Sequence, residues 1–146
     1  MLIRKMTGQD YAGLYTLWTS CKGMGLNDVD DSEEGICRFL ARNPQTCFVA
    51  EQDGAVIGAI MVGNDGRRGY IYHTAVAPKV QRQGIGTSLV QAAVQALKQM
   101  GITKMALVVF EQNEAGNRFW ERQGFSRRTD LVYRNKALVK MKRLDT

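Results

Sequence analysis

Seven residues, Gln81-Arg82-Gln83-Gly84-Ile85-Gly86-Thr87, have the composition of an anion cradle. They follow the strand-like run Tyr70 to Val76 and open a long amphipathic segment, so they sit where a strand passes into a helix. Backbone N–H groups at a helix start have no intrahelical partner, and the helix dipole favours negative charge there. Glycine at 84 and 86 lets a bulky phosphate approach the backbone with no Cβ in the way. Arg82 adds a positive charge and Thr87 a hydroxyl. The order excludes two common phosphate loops. A dinucleotide-binding loop needs a third glycine, and position 89 is Leu. A nucleotide P-loop needs a Lys-Ser/Thr pair after its glycines, and none follows.

A second cluster lies downstream: Asn113-x-x-Gly116-x-x-Phe119-Trp120-x-x-x-Gly124-Phe125. Helical spacing puts Asn113, Gly116 and Trp120 on one side. Asn113 also fits a helix N-cap, and both roles can hold together. Gly124 reads as a helix terminator and Phe125 as core. Proton chemistry has few candidates. Glu111 stands two residues before Asn113, where a strand ends. His73 is the only histidine. Strict alternation along a strand turns it away from Tyr72 and Thr74, so it reads as a buried, hydrogen-bonded ring rather than a base. Cys21, Cys37 and Cys47 lack metal-ligand spacing, so no metal site is expected.

The elements that must hold these residues follow from pattern. Leu2 to Met6 reads as a strand, and Gln9 to Cys21 as a helix after Thr7. Lys22 to Asp30 reads as a loop, and Ser32 to Asn43 as a helix capped by Asp31 with Glu34 and stopped by Pro44. Thr46 to Glu51 and Ala55 to Val62 form a hairpin through Asp53-Gly54, and Tyr70 to Ala77 continues the meander. A helix runs from Gly84 to Met100, with Ile85, Leu89, Ala93 and Leu97 on one face. Ile102 to Phe110 reads as a central strand and Asn113 to Gln123 as a helix. Ser126 to Tyr133 and Ala137 to Leu144 read as a last hairpin. The expectation is one mixed α/β domain over residues 1–146, in the order β-α-α-β-β-β-α-β-α-β-β. It has a mostly antiparallel sheet of six to seven strands and about four helices.

Bulk properties agree with a single soluble domain. The 146 residues are 45% hydrophobic and 23% charged, and they suffice for a real core. No apolar run approaches the ~18 residues of a membrane span. Met1 to Lys5 lacks an apolar signal core, so a cytoplasmic protein is expected, with no membrane partner. Net charge is +6, with basic residues crowded near the C-terminal end. No aromatic residues are interleaved with that charge in an RNA-binding pattern, so nucleic acid is not the expected partner.

The Gln-x-x-Gly-x-Gly loop, with Pro78 three residues upstream, resembles the coenzyme-A pyrophosphate loop of the GNAT superfamily of N-acetyltransferases. The Asn113 cluster is similar to that family's second landmark, and the order of elements is similar throughout. The resemblance implies acetyl-CoA as co-substrate, bound in a V-shaped split between the central strands. It implies pyrophosphate contacts at Arg82, Gln83, Gly84, Ile85, Gly86 and Thr87. Pantetheine contacts are implied at Thr74, Ala75, Val76 and Asn113, with the Val76 N–H at the oxyanion. The family's frequent acid, a tyrosine, is Trp120 here, and an indole donates a hydrogen bond but no proton. Positions where relatives carry a glutamate base are Tyr70, Tyr72 and Val108 here. Glu111 and Tyr72 are the candidates at the site, and His73 as base or a water chain that removes the proton stays open beside them. The implied reaction is acetyl transfer to a primary amine of a small molecule, amino acid or peptide N-terminus. The alternative is a module that holds acyl-CoA with little turnover. Asp28, Asp30 and Asp31 would wall the acceptor site and suit a cationic amine, although acids also favour helix starts. A monomer or homodimer is implied.

Overall fold

The computed structural model describes residues 1–145. Five strands form one sheet in chain order: β1 (Leu2–Lys5), β2 (Phe48–Gln52), β3 (Ala55–Asn64), β4 (Arg68–Val76) and β5 (Lys104–Ala106). The first three pairings are antiparallel, and β4 with β5 is parallel. Four α-helices cover the two faces: α1 (Tyr11–Ser20), α2 (Glu33–Arg42), α3 (Ile85–Gln99) and α4 (Glu114–Arg122).

Each strand divides its side chains between two cores, as period-2 alternation requires. Leu14, Leu17 and Trp18 of α1 and Ile36 and Leu40 of α2 pack on Val49, Ala59, Met61 and Ala75. Ile85, Leu89, Val90, Ala93 and Leu97 of α3 pack on Ala50, Ile60, Val62 and Ile71. The near-continuous burial of β3 follows, since both its faces are covered. Gly101, at φ +77°, ends the turn after α3 and returns the chain toward β5.

The N-terminal end is pinned by charge. Arg4 reaches Asp10 at 2.8 Å and Glu51 at 2.9 Å, and the Thr7 N–H donates to Asp10 at 2.8 Å. Burial works to raise the Asp10 pKa. The hydrogen bonds from Arg4 and Thr7 outweigh it and hold the carboxyl below its ordinary value. A depressed carboxyl contributes stability above its unfolded pKa and loses it as pH falls through the folded value. The Asp10→Asn variant is therefore expected to lose about 2 kcal/mol at pH 7 and to converge with wild type in urea unfolding as pH falls through the depressed folded value of Asp10.

Three expectations need correction. The sheet has five strands rather than six to seven, because residues 126–144 form no hairpin. Their one ladder contact is an isolated bridge, Asn27 with Arg143. The chain end is drawn instead to the loop between α1 and α2. Asp145 accepts from the N–H groups of Met24 and Leu26, and Leu144 N donates to the Leu26 carbonyl. The fifth strand covers Lys104–Ala106 and not 102–110. Among the described residues the run beyond Ala106 has no neighbouring strand on either side, and β propensity without a ladder does not make a strand. Finally, Ser32 rather than Asp31 caps α2: its Oγ accepts from Gly35 N at 3.0 Å. No described helix is long and apolar enough to cross a membrane.

Candidate active site

The glycine loop has the geometry of an anion site. A short 3-10 turn, Pro78–Val80, brings the chain off β4, and the Gln81 amide donates back to the Val76 carbonyl at 3.1 Å. Arg82 and Gly84 then adopt left-handed backbone, at φ +66° and +83°. Left-handed steps just before a helix turn successive N–H groups the same way. Among the described residues no acceptor meets the N–H groups of 82–87, and no side chain caps α3. A Cβ built at Gly84 would meet nothing within 4 Å, so the space beside the loop is open. Gly86 has a different purpose. A Cβ there would lie 3.2 Å from two ring carbons of Phe119, so this glycine lets α4 close on α3. Gln123, at the C-terminal cap of α4, donates to the Thr87 hydroxyl at 2.9 Å and fixes the same contact.

The split beside this loop is present. The β4–β5 ladder joins Arg68–Tyr70 to Lys104–Ala106 and stops there. The Ala77 N–H donates to Ile57 at 2.8 Å, so the register makes Val76 and Thr74 the non-hydrogen-bonded partners of Gly58 and Ile60. Their N–H and C=O groups therefore point away from β3, toward the side that β5 has left. Ala75 is the exception among the implied cofactor contacts. Paired with Ala59, it faces its backbone groups to β3 and its side chain to the α1 core. The Thr74 hydroxyl is buried with no partner, a cost of about 1–3 kcal/mol unless a ligand uses it. Asn113 caps α4 through Gly116 N at 2.9 Å, and its own amide N–H groups stay free. Run of free donors, open space at Gly84 and orphaned hydroxyl together fit a phosphate-bearing arm that ends in the split.

The proton-transfer candidates fall apart unevenly. Glu111 is exposed and paired with Arg127 at 3.4 Å, on the rim of the cleft. Trp120 packs edge-on between Phe119 and Phe125 and lines the cleft wall. Tyr72 packs edge-on against Phe39 of α2. Partial burial raises its phenol above the usual range, and the Tyr133 phenol and Asp30 carboxylate push the same way. Tyr70 is raised for similar reasons, burial first and the Tyr133 and Tyr72 phenols next. Both stay protonated at neutral pH, as donors rather than bases. Val108 is exposed and carries no charge.

His73 is where strict alternation misleads. Between Ile60 and Val62 the register slips by one residue, since their partners are Thr74 and Ile71. This β-bulge puts Tyr72 and His73 on one face of the sheet. Tyr72 meets α2, and His73 packs on Trp18 of α1 at 5.0 Å between centroids. The ring Nε2 lies 2.6 Å from Asp31 Oδ1. The sequence held one signal of this pair. With Ser32 available as the better cap, the Asp31 carboxylate was free to tie its own loop, through Asn27 N at 2.8 Å, and to face the ring. The acidic wall shrinks accordingly. Asp31 is buried against His73, while Asp28 and Asp30 stay exposed, Asp28 accepting from Lys142 N at 2.6 Å and Asp30 from Asn27 Nδ2 at 3.0 Å.

The Acetyltransferase (GNAT) family model matches residues 11–125. An acetyltransferase of Photorhabdus laumondii is 37% identical over 115 residues, which is 79% of each chain. Among solved structures, Ard1 from Thermoplasma volcanium superposes with a TM-score of 0.77 at 21% identity, over 86% of this chain and 82% of that one. The PaiA N-acetyltransferase of Thermoplasma acidophilum, solved with coenzyme A, gives 0.75 at 20% identity, over 84% and 87%.

Proposed function

The chain belongs to the acetyltransferase (GNAT) family, and on that premise we propose that it transfers acetyl from acetyl-CoA to a primary amine. The observation that carries this reading is the run of N–H donors from 82 to 87 that meet no acceptor among the described residues, with an unpartnered Thr74 hydroxyl on the adjoining strand β4. Acetyl-CoA supplies an acyl carbon activated as a thioester. The loop binds its pyrophosphate through backbone N–H groups, with Arg82 adding charge. Thr74 and the Asn113 amide orient the pantetheine arm. The Val76 N–H, aimed away from β3, donates to the developing oxyanion, where one such donor is typically worth about 3 kcal/mol. Trp120 lines the cleft as a hydrogen-bond donor. A thiol of pKa near ~8.5 leaves tolerably as thiolate, so a strong acid is not needed. Three free cysteines suit a cytoplasmic setting.

The acceptor approaches from the α1–α2 side, where Tyr70, Tyr72, Asp30 and His73 border the cleft. The class proposed is an amine of a small molecule, amino acid or peptide N-terminus, cationic before it reacts. Calorimetric titration with acetyl-CoA tests the reading, with desulfo-CoA and NAD as comparators, followed by an amine screen for CoA-thiol release. Micromolar acetyl-CoA binding without NAD binding, and release with an amine, is the expected result. Binding with no release from any amine would favour an acyl-CoA-holding module. No binding would remove the enzyme reading.

A further inference from the structure

His73 and Asp31 form a pair that the capping of α2 does not explain. Asp31 does not cap α2, because Ser32 does. Yet its carboxylate is only 5% exposed and is fixed from several sides. Oδ2 accepts from Asn27 N at 2.8 Å, and the Asp31 carbonyl accepts from the Tyr11 hydroxyl at 2.7 Å. Oδ1 is left for His73. Burying a carboxylate is costly unless it is paired, so its placement opposite the ring calls for a use. An ionised carboxylate only accepts, so the proton of the neutral ring sits on Nε2 and the lone pair on Nδ1. No described residue hydrogen-bonds Nδ1, and the ring borders the cleft just past the point where β4 and β5 part. Trp18 stacks edge-on against the ring and fixes its plane. The other titratable groups around the pair are Asp30 from the same loop, Tyr11 from α1 and Tyr72 from β4. Both phenols are held above their usual range by burial.

We infer that His73 is the proton acceptor for the acetyl transfer and that Asp31 is its positioning residue. The inference rests on the acetyltransferase reading above. In the step, an N–H bond of the acceptor's ammonium breaks and its proton goes to His73 Nδ1. The freed lone pair forms the C–N bond to the acyl carbon. The C–S bond breaks, and its electron pair leaves on sulfur. The second nitrogen proton ends on the thiolate, and His73 returns its own proton to water. Asp31 keeps Nδ1 as the basic nitrogen and stabilises the imidazolium.

One histidine in the chain makes the first test independent of any acceptor. The imidazole C–H signals of the whole protein belong to His73 alone and can be followed by NMR from pH 5 to 9. The neutral-form proton is expected on Nε2, where Asp31 Oδ1 accepts it. A ring that does not titrate, or one protonated on Nδ1, overturns the inference. The second test is turnover with spermidine, lysine amide and an alanine-initiated tetrapeptide as probes. His73→Gln can still donate to Asp31 but carries no basic nitrogen. It should lower kcat at least about 100-fold and abolish the acidic limb of kcat/KM, with acetyl-CoA affinity unchanged. Asp31→Asn should lower kcat less than His73→Gln does, with acetyl-CoA affinity unchanged and the ring proton no longer confined to Nε2. Retained turnover and limb in His73→Gln overturn the base assignment and leave the acetyltransferase reading standing. A wild type that neither binds acetyl-CoA nor releases CoA overturns both.

Discussion

Acetyl-CoA affinity falls at least about 100-fold in Arg82→Glu/Gln83→Glu, while stability stays within about 1 kcal/mol of wild type. Both positions are exposed, so no core contact is lost. A carboxylate just before α3 favours the helix, because it faces the positive end of the dipole. The same charge opposes the pyrophosphate. A charge pair at about 4 Å is worth about 1 kcal/mol in water and about 4 kcal/mol near a protein surface. The double change shifts the local charge by three units, so a loss of at least about 3 kcal/mol in binding is the modest end of the range. The two signs are what identify the site: a fold defect would lower stability and affinity together. Gly86→Glu, which the motif alone suggests, cannot separate them, because its Cβ would press on Phe119. Calorimetry with acetyl-CoA and thermal unfolding of the same sample check the prediction. Unchanged affinity would place the phosphate elsewhere.

The loop was legible in the sequence because its chemistry is local. Left-handed steps, free N–H groups and a helix start all follow from residues within one turn of each other. The meander and the four helices were legible for the same reason, through hairpin turns and a 3.6-residue period. What failed depends on distant partners. Residues 107–110 read as strand from composition, but a ladder needs a neighbour, and both neighbours are absent. Only the relation of His73 to Tyr72 was misread, because one slipped register between Ile60 and Val62 puts both on one face, away from Thr74, and no local pattern marks a bulge. The Asp31 pairing likewise joins residues 42 apart in the chain. The anion site thus rests on backbone geometry that a motif encodes. The acid–base side rests on tertiary contacts that it does not.

Gly35→Ala is expected to unfold the link between those two halves. In most helices this exchange gains about 1 kcal/mol, since alanine is the better helix former. Here the added Cβ would collide with the carbonyl oxygens of both Val29 and Asp30. Those oxygens belong to backbone and have no flexible end to swing away. The Val29 carbonyl also accepts from Ser32 Oγ at 2.8 Å, so moving it disturbs the cap of α2. The clash outweighs the propensity, and a net loss of about 3 kcal/mol follows, roughly 10 °C in Tm for a domain of this size. Gly66→Ala is the reference. At φ +87° with open space around it, it carries backbone strain alone, about 1 kcal/mol. In the fraction of Gly35→Ala that remains folded, residues 29–31 must shift, and Asp31 leaves its place opposite His73. The His73 imidazole signal should then move in Gly35→Ala and stay put in Gly66→Ala. Equal, small losses in the two variants would mean that the 29–31 segment yields easily. Asp31 would then be too loosely held to position a ring, and His73 would lack the fixed partner its role requires.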